Sequence, residues 1–570
     1  MVEAALNTPG PEVVEAAEER CNIASVLVDA ARTNPHRRAI VYPSGRDATG
    51  RRAYTHLTFA QLQRETYRLA RGLRAHGIGP GTRTVLMVRP SLEFIPLTFA
   101  LFTVGAVPVL IDPGMGRKGF LRAIEEIEPE GFIGIPLAHV LRTVFPRPFR
   151  SVKKAVTVGR RLWWSAPTLD ELRDDDGSEL PLAPTAAGDL AAILFTTGST
   201  GPAKGVEYTH GIFTAQVDII RDVWGIGPQD VDLPAFPLFA LFSTGCGATV
   251  VIPDMDPTRP AEVDPALVVE AIEDQGVTFS FGSPAFWRQV AAHCDTNQVK
   301  LPTLSKVFMA GAPVPAGLVA SMRKAMPESG DVLIPYGATE SLPVAWISGA
   351  EVEAGAGDAS TRGRGTCVGR PLECNEVRII EVRDEPIPHL EDATPVSDGE
   401  VGEICVRGPV VTARYARRDA DTALAKMRDG DVIWHRMGDL GYFDDQGRLW
   451  FCGRKGHRVE TPRGVMYTVQ CEALFNNHPR VYRTALVGLG ERPSQRPVLV
   501  VECEKTARPK GREDREGLIA ELKAIGASSP LTEDIHTFLF HDAFPVDIRH
   551  NAKIFRERLA AWAATQSEVG

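Results

Sequence analysis

The sequence predicts an α/β protein of mixed α+β character, with a large N-terminal body of sheets flanked by helices and a small α+β unit at the C-terminus. Three observations point there. From about residue 24 to 450, helical patterns such as 58–76 alternate with short β-branched or apolar runs such as 84–88 and 191–195. The 52 glycines and 43 prolines among 570 residues divide the chain into many short elements. Late in the chain the pattern changes to two strands, 483–489 and 498–502, followed by a helix over 513–527. An apolar strand at 449–451 stops at a glycine and basic cluster, 453–456, which sets the expected boundary: residues 1–454 for the large body and 455–570 for the small one.

Along the first body, the segment 94–111 (FIPLTFALFTVGAVPVLI) is apolar for about the length of a membrane span. Pro96, Gly105 and Pro108 divide it, and Glu93 and Asp112 close it without the aromatic and basic flanks of a span. It reads as a buried helix ending near Gly105 and a buried strand over 107–111, with no transmembrane segment and at most a peripheral membrane contact. The acidic, Pro- and Gly-rich stretches 169–187 and 349–365 read as surface loops.

The 63 Lys and Arg against 72 Asp and Glu leave a formal charge of −9, which excludes a generally basic nucleic-acid binder. Five glutamates and no basic residue precede Arg20, so a secretory n-region is not expected and the cytoplasm is. Nine cysteines form no C-x-x-C pair. Cys405 and Cys503 lie in apolar alternations and read as small buried hydrophobes.

The strongest local signal is AAILFTTGSTGPAKG at 191–205. A short apolar strand runs into a loop of hydroxyls and glycines that ends in a lysine. Glycines let the backbone approach a ligand, while N–H groups, hydroxyls and an ammonium are what phosphate oxygens require. Thr196, Thr197, Gly198, Ser199, Thr200, Gly201 and Lys204 are therefore candidate phosphate contacts. The spacing is not that of a Walker loop, which places a second glycine directly before the lysine.

This loop resembles that of the adenylate-forming superfamily of acyl-CoA synthetases, adenylation domains and luciferases, with Ala203 a small departure before the lysine. Further matches follow in the family's order. MAGAPVP (309–315) resembles the glycine turn flanking adenine, giving Gly311, Ala312 and Pro313. YGATES (336–341) resembles the motif in which an aromatic ring, here Tyr336, packs on adenine. Gly337 and Ala338 then precede a Thr339–Glu340 pair that meets phosphate and Mg²⁺. A carboxylate is a hard oxygen ligand suited to that ion. Asp439, in MGDLGYFDDQGRLWFCGR, fits the acid that binds both ribose hydroxyls, with Arg454 nearby. PVDIRHNAK (545–553) resembles the C-terminal loop that delivers a lysine, Lys553, to the acyl phosphate. The resemblance implies ATP and Mg²⁺, catalytic roles for Lys553, Lys204, Glu340 and Thr196, and Glu340 with Thr196 at the metal. It also implies attack of a carboxylate on the α-phosphorus to give acyl-AMP and pyrophosphate.

Two departures bear on the second half of the reaction. In GRKGHRVETPRGVMYT the family's hinge acid or lysine is Gly456, the lysine four residues on is Glu460, and the glycine beside the pantetheine tunnel is Arg463. In AFPLFALFSTG the histidine that relatives place near the acyl carboxylate is replaced at Ala240. Phe239, Ala240, Phe281 and Trp287 are candidate acyl-pocket residues. Together these features resemble the β-lactone synthetases of bacterial long-chain olefin biosynthesis, which adenylate a 2-alkyl-3-hydroxy fatty acid and let its own β-hydroxyl expel AMP. The alternative is a long-chain acyl-CoA synthetase or acyl-AMP ligase. The resemblance further implies a lipid acid substrate and a multienzyme assembly with a β-lactone decarboxylase and a ketoacid reductase.

Overall fold

The computed structural model describes residues 21–174, 178–195, 203–546 and 554–567. Two sheets build the large body. One has six strands in the order Lys154–Thr157, Gly131–Gly134, Arg83–Met87, Val107–Leu110, Leu190–Phe195 and Gly205–Thr209. All neighbours are parallel except the last pair, which is antiparallel. Its strands are short and nearly continuously apolar, as two-sided burial under helices requires.

The second sheet has fourteen strands and changes character along its width. Its parallel part runs through Asp331–Ala338, Lys306–Met309, Phe279–Gly282, Val231–Asp232, Thr249–Val251 and Arg38–Arg46. On the other side of Asp331–Ala338 the neighbours become antiparallel, beginning with Ser341–Ser348 and continuing through Thr366–Pro371, Leu449–Arg454 and Val432–Phe443. The pairing of Ala338 with Ser341 leaves Thr339 and Glu340 as a two-residue turn at that switch. Carboxyl ends of parallel strands beside such a switch are where α/β sheets accept ligands.

Local sequence explains the elements around this edge. Thr58 and Gln61 form a capping box at the start of helix Phe59–Ala75. Thr209 caps His210–Trp224, which stops at Gly225 in the left-handed region, φ +63°. The apolar run at 94–111 becomes helix Phe94–Thr103 and strand Val107–Leu110, as expected. All ten helix residues are buried, and the Thr98 and Thr103 hydroxyls donate to the carbonyls of Phe94 and Phe99 at 2.8 Å. Among the described residues no helix is long and apolar enough to cross a membrane.

The expected loop at 349–365 is instead a kinked helical stretch. Ser348 and Glu351 form a capping box, and helical turns continue to Arg364 with breaks at Gly355 and Gly363. Its small residues serve close packing rather than exposure: a Cβ on Gly357 would come within 2.8 Å of the Ala316 Cβ. In 169–187 a short capped helix, Leu169–Leu172, also replaces loop.

From Val459 onward the strands belong to two small sheets. Val459–Thr461 and Gly464–Met466 make a short hairpin. Val481–Leu489, Arg496–Cys503 and Thr537–Phe540 form a three-stranded sheet packed by helices Thr468–Asn476, Gly511–Ala527 and Arg556–Ser567, with cores of its own.

Candidate active site

A cavity of about 1250 Å³ lies between the large body and the small one. Strand exits of both large sheets open into it, and the small body contributes Glu472, Arg483 and Arg556 to its wall.

At one end, Asp439 sits in the long strand Val432–Phe443, turned by Gly438 at φ +63° and paired in register with Arg454. Its carboxylate accepts from the Tyr336 hydroxyl at 2.7 Å and faces the Arg454 guanidinium at 3.0 Å. Asp439 is 4% exposed at its side chain, so the pair is strongly coupled. Burial and the neighbouring carboxylate push the Tyr336 phenol well above its ordinary range, and Asp439 raises Arg454 further. Asp439 thus presents its carboxylate among fixed donors, the arrangement a ribose diol needs from an acceptor. Gly311, Ala312, Pro313, Gly337 and Ala338 line the same end, and Gly311 has φ +90°.

Glu340, at the switch turn, is held by residues that no motif announced. The Tyr415 hydroxyl donates to Oε1 at 2.6 Å, and the Thr412 amide and hydroxyl donate to the Glu340 carbonyl at 2.9 and 3.0 Å. Lys426, 8% exposed, donates from Nζ to both the carbonyl and the hydroxyl of Thr412. Burial drives that ammonium down to about 7. His435 alongside is driven well below its usual range by burial and by Lys426. Tyr208 supports the neighbouring residue, donating to the Thr339 carbonyl at 2.6 Å. Lys204 pairs with Asp421 at 2.7 Å and lies 4.8 Å over the Tyr415 ring. Below Arg454, the buried Glu403 is clamped between the equally buried Arg436 at 2.6 Å and Lys455 at 2.9 Å. None of Tyr415, Lys426, His435 or Glu403 carries a local signal in the sequence.

The donor set suits Mg²⁺. Tyr415 occupies one Glu340 oxygen, and Oε2 has no partner among the described residues. These residues show no cluster of three or more His, Cys, Asp or Glu suited to a metal. One carboxylate with substrate phosphates and water is how Mg²⁺ is commonly held.

From Glu340 the cavity continues along an aromatic wall. Phe281 stacks on Phe239 at 3.5 Å between ring centroids. Phe242 follows at 5.8 Å, Phe213 at 6.1 Å and Phe102 at 5.8 Å. Two expected pocket residues do not face it. Ala240, 3% exposed, lies on the core side of helix Phe239–Gly245, between cavity-facing Phe239 and Leu241. Trp287 is fully buried in another core, packed edge-on against Phe286 at 5.0 Å. Both belong to helices whose other face reaches the cavity, a distinction that proximity to a motif does not carry.

Thr196, Thr197, Gly198, Ser199, Thr200, Gly201 and Lys553 lie outside the described residues. Their chain neighbours Phe195 and Lys204, and Ile554 and Arg556, line the cavity. Arg556 is anchored by two bonds of 2.8 and 2.6 Å to Glu472. At the linker, Arg458 grips Asp384 at 2.7 and 3.1 Å, and Arg492 donates to the carbonyls of Gly456 and Arg458. Arg463 pairs with Glu533 and Asp534.

The family described as AMP-binding enzyme matches residues 27–416. The chain is 49% identical to an olefin β-lactone synthetase of Xanthomonas campestris pv. campestris, over 96% of this chain and 98% of that one. In structure it resembles the amide bond synthetase McbA from Marinactinospora thermotolerans, with a TM-score of 0.76, 23% identity and coverage of 95% and 99%. It also resembles an O-succinylbenzoate coenzyme A synthetase of Bacillus subtilis in complex with ATP and magnesium ion, with a TM-score of 0.72, 21% identity and coverage of 94% and 98%. By sequence over most of its length and by fold throughout, the chain belongs to the AMP-binding enzyme family.

Proposed function

We propose that the chain adenylates a long-chain 2-alkyl-3-hydroxy carboxylic acid with ATP and then lets the acid's own hydroxyl close a β-lactone. The observation that carries this reading is one cavity running from Asp439 and Arg454, past Glu340, along five phenylalanines. The likeness to olefin β-lactone synthetases over nearly the whole chain supports it.

In this reading Asp439 binds the ribose hydroxyls, and Tyr336 packs against adenine beside Gly311, Ala312 and Pro313. The loop 196–201 and Lys204 take the phosphates. Glu340, with Thr196, holds Mg²⁺, which would supply positive charge to the phosphate oxygens. Lys204 must exchange its Asp421 partner for phosphate, and its side chain is only partly exposed, so the loss of one ion pair is offset by another. Lys553 approaches the acyl phosphate from the small body, whose limits we take as 455–570. The substrate carboxylate attacks the α-phosphorus and pyrophosphate leaves. The β-oxygen then bonds to the acyl carbon, the bond from that carbon to the phosphate oxygen breaks, and the hydroxyl proton goes to the departing AMP. A tethered nucleophile has a large effective concentration, which helps offset ring strain.

A CoA acceptor is disfavoured by Arg463, tied to two acids where relatives carry a glycine beside the pantetheine passage. The chemistry fits neighbours in a reaction sequence, a ketoacid reductase that makes the hydroxy acid and a decarboxylase that consumes the lactone; that they share an assembly with this chain rests on the family resemblance alone. Purified protein given ATP, Mg²⁺ and a racemic 2-alkyl-3-hydroxy acid should yield lactone, AMP and pyrophosphate without CoA. Turnover only when CoA is added would refute the proposal and restore the acyl-CoA synthetase reading.

A further inference from the structure

Helix His210–Trp224 presents Phe213, Gln216 and Val217 to the cavity, spaced three and four residues apart on one face. Gln216 is the polar member of this trio and is 4% exposed. Its Nε2 donates to the Leu342 carbonyl at 2.7 Å, which fixes the amide orientation, because the reversed amide would set two acceptors against each other. Its Oε1 is buried and has no hydrogen-bond partner among the described residues. The Tyr208 hydroxyl is in hydrogen-bond contact with the Gln216 side chain as an acceptor, a contact that lowers the phenol's pKa, and it does not serve Oε1, because its single proton is committed to the Thr339 carbonyl at 2.6 Å. A buried carbonyl oxygen without a donor is costly to keep, so a donor carried in by a bound molecule is favoured at this position. Leu342 follows the Thr339–Glu340 turn, and Phe213 belongs to the aromatic wall. Gln216 therefore stands where the phosphate end of the cavity meets its apolar arm.

We propose that Gln216 Oε1 accepts the hydrogen bond of the substrate's β-hydroxyl and selects 3-hydroxy acids over acids that lack the group. This rests on the adenylation reading above and adds the contact that recognises the nucleophile. Apart from its carboxylate, the hydroxyl is the one polar group such an acid carries into the cavity. With its proton directed to Gln216, the oxygen keeps a lone pair for the acyl carbon. Gln216 orients the hydroxyl in the bound acid and does not take the proton; as the new bond forms, the hydroxyl leaves Gln216 and its proton passes to the departing AMP. A site built around such a bond rejects the analogue that lacks it, since the protein acceptor is then left unpaired.

The test compares pyrophosphate release with a 2-alkyl-3-hydroxy acid and with its 3-deoxy counterpart, for the wild type and Gln216→Leu. The wild type should favour the hydroxy acid in kcat/KM by at least about tenfold, and the variant should lose that preference. A preference unchanged in the variant, whether both rates fall together or neither does, would overturn the inference and leave Gln216 a structural amide. Should Gln216→Leu fail to fold, the wild type is offered the 3-fluoro acid, similar in size and unable to donate. Equal efficiency with the 3-fluoro and 3-hydroxy acids would likewise overturn it, whereas rejection of the fluoro acid supports it. Release with both the hydroxy and the deoxy acid at equal efficiency in the wild type refutes this contact while adenylation stands. No release with either refutes both.

Discussion

Replacing Lys426 with methionine tests how the Glu340 turn is held. The wild-type ammonium is buried, and its only described bonds are those to Thr412, which in turn holds the Glu340 carbonyl. Burial lowers its pKa from 10.5 to about 7. Between those values the unfolded chain keeps the proton and the folded chain does not. Wild-type stability therefore rises with pH through this window and is lost as pH falls toward 7, by up to about 1.4 kcal/mol per pH unit. Lys426→Met lacks this dependence, so the advantage of the wild type over the variant should widen by about 2 kcal/mol between about pH 7 and pH 9. The neutral amine can still donate both hydrogen bonds, so the gain sacrifices no contact. Paired melting or urea titrations at half-unit pH steps would measure it. A wild-type minus variant difference that stays constant from about pH 6.5 to 9 would refute the assignment of a depressed, buried lysine.

Four other outcomes are expected. Glu340→Gln should raise the Mg²⁺ concentration needed for half-maximal pyrophosphate release by about tenfold or more, and an unchanged requirement would reassign the metal ligand. Asp439→Asn should raise KM for ATP by about tenfold to a hundredfold through weakened ribose bonds, with a smaller effect on kcat; a loss confined to kcat would contradict the role. Lys553→Ala should suppress acyl-AMP formation far more than ATP binding, and equal losses in both would remove it from the chemistry. Asp232 is buried, with its pKa raised to about 8 and one oxygen on the Ser243 hydroxyl at 2.6 Å. Its folded form holds a proton that the unfolded chain has released above about pH 4, so its burial costs stability as pH rises from about 4 to 8. Asp232→Asn should therefore raise the melting temperature, most at about pH 8 and least below about pH 4, and a change independent of pH would contradict the raised value.

The elements were legible where a local pattern decided them. The apolar run at 94–111 contains its own breaks, and the ten buried residues of Phe94–Thr103 follow from its lack of any polar face. Asp439 and Glu340 stood out only because the runs around them, MGDLGYFDDQGRLWFCGR and YGATES, resemble motifs of the family; no local pattern marks either, and Asp439 lies inside the strand Val432–Phe443. The supports of Glu340 did not stand out. Thr412 reaches it from 72 positions away in sequence and Lys426 from farther still, and nothing within TALAKMRD distinguishes a buried lysine from an exposed one. The stretch 349–365 misled because Gly and Ala serve a tight helical packing as readily as a loop. Ala240 and Trp287 misled because helices beside a cavity have two faces, and only packing selects between them.

The row of phenylalanines has a consequence for how a lipid is measured. In the proposed reaction its rings would offer methylene after methylene the same kind of surface, so each added carbon should improve uptake by a similar increment, about 0.8 kcal/mol, for as far as the rings extend. It works as a ruler without gradations, and a homologous series of acids should climb evenly and then level off where the rings give out.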